Sequence, residues 1–226
     1  MMNIKTVTVI DPAVKEPAVC CINRLVTMYP HIRFTYHLPG ITGTKTFDSN
    51  GKTDAILILG SAAFVSDRLE WQKDAFNFVK KALETKIPVL GICFGLQLVV
   101  DGFGGVIDFI DLDQNRKAGL RKIVFAKDFE DVKLARNVNL AVNHRQEVKT
   151  LPACFEVLAS SDLVKIELIK HKTLPFIGIQ AHPEASAYFM TEYVGGMSRQ
   201  EMLMAQEGGN SIIENFFKFA NVGADL

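Results

Sequence analysis

Two short apolar runs, Asp54–Gly60 (DAILILG) and Pro88–Cys93 (PVLGIC), bracket a stretch of amphipathic chain. Continuous apolar runs of this length, without alternation, suit strands buried on both faces. Between them, from Trp71, the apolar residues Ala75, Phe76, Val79, Ala82 and Leu83 recur at helical spacing. Strand, helix, strand reads as a parallel crossover. A parallel sheet must be covered by helices on its faces, so this one feature removes most alternatives.

The flanking sequence repeats the pattern. Thr6–Asp11 (TVTVID) reads as a strand, and Pro17 opens a helix that runs to Met28, since proline suits a first helical turn. Arg33–Leu38 reads as a second strand, and FGLQLVVDGFGG as a helix ending near Gly102. The expected fold class is therefore α/β, a doubly wound, mostly parallel sheet flanked by helices. The second half is more β-like and is expected to be more antiparallel. Its candidate strands are Lys122–Asp128, Leu140–Val148, Phe155–Asp162, Val164–His171 and Leu174–Glu184. Near the end, Ser211-Ile-Ile-Glu214 has capping-box spacing, and Ile212, Ile213, Phe216 and Phe217 share one apolar helix face.

A chain of 226 residues fits one domain, expected over 1–226, and can bury a sizeable core without disulfides. Lys plus Arg and Asp plus Glu are 25 each, so no net charge draws the chain toward nucleic acid or an anionic membrane. No apolar run reaches the length of a membrane span, and MMNIKTVTVID lacks the pattern of a signal peptide, which points to the cytoplasm. The cysteines Cys20, Cys21, Cys93 and Cys154 form neither a disulfide framework nor a zinc pattern, and the histidines are dispersed. A phosphate-binding P-loop is absent. No metal and no cofactor are expected.

Open α/β sheets place their sites outside the carboxyl ends of the strands, and Cys93 falls at such an end. It sits in PVLGICFGLQLVV, with Gly91 and Gly95 on either side. In a strand-to-helix elbow the nucleophile occupies a cramped turn whose neighbours must lack bulk. The following helix offers free N–H groups and a partial positive charge, which favour an anionic sulfur. The N–H of Phe94 can donate to an oxyanion at an attacked carbonyl. Spacing alone leaves a second reading open, a buried cysteine in a tight turn. Of the five histidines, His182 is best placed as a base, because it follows an apolar strand in AHPEA. Glu184, two residues on, can orient the imidazole and stabilise its charged form.

Taken together and in this chain order, PVLGICFGLQLV and GIQAHPE resemble the nucleophile-elbow and His–Pro–Glu motifs of class I, triad-type glutamine amidotransferases. NHRQEV with LPACFEVLASSD, and GGNSIIENFFKFA, resemble the family's preceding segment and closing helix. The likeness covers roughly residues 5–110 and 135–220. It implies the flavodoxin-like fold of that family and a cytoplasmic enzyme that hydrolyses the side-chain amide of glutamine. Cys93 is implied as nucleophile, His182 as acid and base, and Glu184 as its orienting partner. Phe94, Gly60 and Ser61 are implied as oxyanion donors, and Gln97, Asn143 and His144 as substrate contacts. The ammonia is implied to pass to a synthase subunit or an acceptor protein, with glutamine as the small-molecule substrate.

The departures from the family pattern carry their own expectations. Gly60-Ser61-Ala62 stands where Gly-Gly-Pro is common, and serine there restricts a peptide flip, which implies low resting activity. Arg145 stands where glycine is frequent, and Gln146 where aspartate sometimes lies, which loosens the identity of the substrate. About residues 185–209 form an extra helical segment, bounded by glycine pairs and capped at Ser198-Arg-Gln-Glu201, that is read either as a peripheral helix or as a lid or docking site. Two other functions remain open: a free-standing γ-glutamyl hydrolase or peptidase, and a non-catalytic regulatory subunit.

Overall fold

The computed structural model describes residues 4–49, 52–127 and 136–223. The first half runs β1 (Thr6–Ile10), α1 (Val19–Met28), β2 (Arg33–His37), a four-residue α2 (Pro39–Thr42), β3 (Ala55–Ile58), α3 (Glu70–Glu84), β4 (Val89–Ile92) and α4 (Phe94–Gly102). Then follow β5 (Val106–Phe109), β6 (Lys117–Phe125), β7 (Asn137–His144), β8 (Gln146–Thr150), β9 (Phe155–Ser160), β10 (Leu168–His171) and β11 (Phe176–Ile179). A short α5 (Ala187–Phe189) continues as a π-turn (Met190–Val194) before the long α6 (Arg199–Phe219).

One sheet has the order β2-β1-β3-β4-β11-β10-β9-β6-β7, and β5 pairs with β8 in a small second sheet. β2, β1, β3, β4 and β11 are parallel, and the remaining pairings are antiparallel. The apolar runs supply both faces. Val7, Leu57, Leu90, Ile92 and Ile179 pack on one side with Ile22 and Leu25 of α1 and Ile212 and Phe216 of α6. Ile56, Ile58, Val89 and Phe176 pack on the other with Ala75 and Val79 of α3 and Leu96 and Val99 of α4. This is the doubly wound, mostly parallel arrangement expected from the sequence, with the antiparallel strands in the second half.

Several elements differ from the sequence reading. The first helix begins at Val19, after Pro17, because the Asp11 carboxylate accepts the Ala18 N–H at 2.7 Å and the Ala13 N–H at 3.0 Å and holds the loop open. The expected strand 140–148 is two strands that turn at Arg145 into different sheets. β5, which pairs with the second of them, has no counterpart among the expected strands. Val164–Glu167 does not join β10, because Ser161 and Val164 close a turn and Glu167 turns inward to Arg121. The last residue expected in the strand 122–128 lies outside the described residues.

Ser211 caps nothing, since α6 runs unbroken through it from a capping box at Ser198 and Glu201. The glycine pair before Ser211 reads as a terminator, yet it serves close packing. A Cβ on Gly208 would sit 2.2 Å from the Asn139 carbonyl oxygen, and one on Gly209 would sit 2.3 Å from that of Pro183.

The sign of a mutation separates these two roles. In an ordinary helix interior, glycine to alanine stabilises by roughly 1 kcal/mol. Gly209→Ala is expected to destabilise by roughly 1–3 kcal/mol, the scale of overpacking against fixed backbone. Urea unfolding measures it, and a stabilised variant would show that α6 does not press on the Pro183 loop.

Candidate active site

The sheet register builds the site. Ile92 at the end of β4 pairs with Ile179 at the end of β11, and Ile58 of β3 pairs with Gly91. One step further along these strands, Gly60, Cys93 and Gln180 stand side by side at the carboxyl edge. The Cys93 N–H extends the ladder by donating to Ile179 O at 2.7 Å. His182 lies two residues beyond Gln180, and its N–H donates to Ala141 O of β7 at 2.8 Å. The parallel neighbour of the cysteine strand therefore delivers the histidine.

Cys93 has φ 50° and ψ −102°, a strained conformation for a residue with a side chain. The elbow is possible because both flanking glycines are in backbone contact. A Cβ on Gly91 would sit 2.7 Å from the Gly95 carbonyl carbon, and one on Gly95 would sit 2.5 Å from Ile58 O. Phe94 opens α4, so its N–H has no partner within the helix. Gly60 lies against the imidazole, where a Cβ would be 2.7 Å from His182 Cε1 and 3.5 Å from Cys93 Cβ. Ser61 Oγ donates to Pro12 O at 2.6 Å and accepts from the Ala63 N–H at 3.0 Å, which pins the loop after β3.

Cys93, His182 and Glu184 are 5%, 4% and 2% exposed. His182 Nδ1 and Glu184 Oε1 are 2.8 Å apart. Nε2 is buried and has no hydrogen-bond partner among the described residues. Burial disfavours the imidazolium, but the charges of Glu184 and Cys93 outweigh it and push the His182 pKa up to about 10. The arrangement pairs a strained cysteine with a carboxylate-held imidazole, a combination suited to covalent acyl chemistry.

The other expected contacts lie around this group and are tied into the protein. Gln97 Nε2 donates to Gln146 O at 2.9 Å and to Gln180 Oε1 at 3.1 Å. Asn143 Nδ2 donates to Tyr193 O at 3.1 Å. His144 is buried, with Nδ1 2.9 Å from Gln146 O and Nε2 2.8 Å from Arg121 Nη1. Burial first, and then the Arg121 charge, push its pKa down to about 3, so it is neutral near pH 7. Arg145 is exposed at the corner between β7 and β8.

Three features escaped the sequence reading. Gln180 is fully buried and donates to Cys93 Sγ at 3.5 Å; its only signal was a polar residue ending an apolar strand. Phe189 packs its ring 5.0 Å from that of His182, so the part of the extra segment on the histidine is α5, near the start of that segment. Arg24 of α1 reaches Pro183 O at 3.4 Å and Gln206 O at 3.3 Å, tying the His182–Glu184 loop to α6.

Residues 29–193 match the glutamine amidotransferase class-I family. The chain belongs to that family. Among relatives, it is 32% identical over 182 residues to a protein from Methanocaldococcus jannaschii named as a subunit of glutamine-hydrolyzing GMP synthase, covering 80% of this chain and 81% of that one. The protein of the same name from Methanococcus maripaludis is 36% identical over 146 residues, which is 64% of this chain and 66% of the relative, just under two thirds of its length. A glutamine amidotransferase structure from Thermotoga maritima superposes with a TM-score of 0.78 at 14% identity, over 96% of this chain and 99% of that one. One from Methylobacillus flagellatus gives 0.67 at 16% identity, over 98% and 94%. These two likenesses are of fold. Among the described residues of this class I amidotransferase, no helix is long and apolar enough to cross a membrane.

The His182 shift predicts a pH dependence of stability. Its folded pKa, about 10, lies above the unfolded value near 6.5. The stability it contributes is complete below pH 6.5 and is lost as pH rises toward 10. Glu184→Gln removes the carboxylate that holds the proton. The difference in unfolding free energy between wild type and Glu184→Gln is therefore expected to shrink from pH 6.5 to pH 10. Urea melts across that range measure it, and a gap independent of pH would show that Glu184 does not hold an imidazolium.

Proposed function

We propose that this chain is a glutamine-hydrolysing amidotransferase subunit that works through Cys93, His182 and Glu184. The observation that carries the reading is the meeting of a strained Cys93 with the His182–Glu184 pair at adjacent parallel strand ends, in a chain of this family. Cys93 Sγ, its proton transferred to His182, attacks the side-chain carbonyl carbon of glutamine. The oxyanion is received by main-chain N–H groups at Phe94 and at Gly60 or Ser61. His182 protonates the departing ammonia, leaving a glutamyl thioester. It then takes a proton from water, which releases glutamate and restores the thiol. Glu184 keeps the imidazole oriented and offsets its positive charge. The reading includes Asn143 and Gln97 as substrate neighbours, with His144 supporting the segment from behind.

The ammonia is passed to a synthase on another chain. The relatives' name makes each of them one subunit of a glutamine-hydrolyzing GMP synthase. That name supports the division of labour and makes a GMP-forming synthase chain the first partner to test.

The experiment is to incubate the chain with glutamine, with and without such a partner, and follow glutamate and ammonia. Cys93→Ala is expected to abolish release, and His182→Asn to lower it by about a thousandfold or more, as loss of a triad member does. Release that persists in Cys93→Ala would overturn the reading. If wild type is silent alone, labelling of Cys93 by a glutamine-like electrophile decides, and no labelling counts against a glutamine site.

A further inference from the structure

Beside the triad, a chain of buried hydrogen bonds ends on the nucleophile. Gln180 is 0% exposed, and Gln97, Gln146, His144 and Arg121 are all buried with it. The direction of every bond can be worked out from the groups that have no choice. Arg121 can only donate, so His144 Nε2, 2.8 Å away, accepts, and its Nδ1 carries the proton toward Gln146 O at 2.9 Å. That carbonyl can only accept, so Gln97 turns its NH2 to it at 2.9 Å. The same NH2 faces Gln180 at 3.1 Å, so Gln180 presents its oxygen there. Its own NH2 is then left to point the other way, at Cys93 Sγ, 3.5 Å distant. The neutral state of His144 fits the accepting role of its Nε2.

We propose that Gln180 is a positioning residue for the nucleophile: its amide N–H, locked in direction by Gln97, holds the Cys93 sulfur as an acceptor. Two consequences follow from one bond. The thiol proton cannot point at Gln180, so it is steered away from that side. Once the proton has left, the N–H stabilises the negative sulfur by a charge-assisted hydrogen bond. Gln180 can do this because it lies one residue past the end of β11, level with Cys93, in the segment that leads on to His182. The proposal rests on Cys93 being the nucleophile of the proposed glutamine hydrolysis and adds a residue to it.

The test uses the whole chain and the variants Gln180→Met and Gln180→Leu, which keep most of the side-chain bulk and carry no donor. Two quantities are measured: the rate of Cys93 alkylation by iodoacetamide, read by mass spectrometry, and kcat and KM for glutamine hydrolysis. Both variants are expected to alkylate Cys93 at least roughly tenfold more slowly and to lose kcat by a similar factor, the range for a hydrogen bond to a charged group. KM is expected to stay within about twofold, because the bond is to the enzyme's own sulfur. A folded variant that alkylates at the wild-type rate overturns the proposal, even with a lowered melting temperature, since packing alone would then be its role. A change confined to KM also overturns it and makes Gln180 a substrate contact. If both variants fail to fold, Gln97→Met replaces them: it frees the Gln180 amide to rotate, and an unchanged alkylation rate counts against the lock. Alkylation that slows in the variants while wild type neither hydrolyses glutamine nor takes a glutamine-like label would sink the glutamine reading and leave the Gln180–Cys93 bond standing.

Discussion

The parallel pairing of β4 with β11 is the constraint on which the rest depends. It carries Cys93 and His182 on neighbouring strands and is continued past the strand ends by the Cys93 N–H to Ile179 O bond. A slip of one residue would move His182 by about 3.3 Å and reverse which side chains face which helices. The apolar pattern prevents it. Ile92 and Ile179 belong to the layer under α1 and α6, while Val89 and Phe176 belong to the layer under α3 and α4. The register of the carboxyl edge is thus fixed by hydrophobic burial well below it.

Beyond the strand ends, the backbone has to be held by other means. His182 is bonded to Ala141 of β7, Pro183 O receives Arg24 from α1, and the same carbonyl lies against Gly209 of α6. Three elements from distant parts of the chain grip this one short loop. In its proposed role as general base, His182 must keep its geometry within a fraction of an ångström to be effective, and an unsupported loop cannot provide that. The glycines that look like helix punctuation are what allow α6 to come close enough.

Much of this was legible in the sequence for a physical reason. Short two-sided apolar strands and a glycine–cysteine–glycine elbow are local patterns, so the parallel sheet, α3, α4 and the places of Cys93 and His182 could be read from neighbouring residues. What could not be read is set by partners far along the chain. The split of 140–148 into β7 and β8 depends on β5, which offers β8 a second sheet. The unbroken α6 depends on the Asn139 and Pro183 carbonyls that Gly208 and Gly209 meet. Gln180 stands inside the GIQAHPE run with no role visible there, because its meaning lies in a cysteine on another strand and a glutamine on a helix.

The histidines make the same point in chemical terms. His182 and His144 are both buried, and burial alone would keep each neutral. Glu184 beside one reverses that tendency and prepares it to carry a proton. Arg121 beside the other deepens it, and turns the imidazole into a fixed link between a guanidinium and the Gln146 carbonyl. A ring that changes its charge can transfer protons, whereas a ring that stays neutral transmits only direction. The direction it transmits reaches Gln97 and then the amide facing Cys93, so in the proposed mechanism the neutral histidine helps orient the sulfur on which the charged one acts.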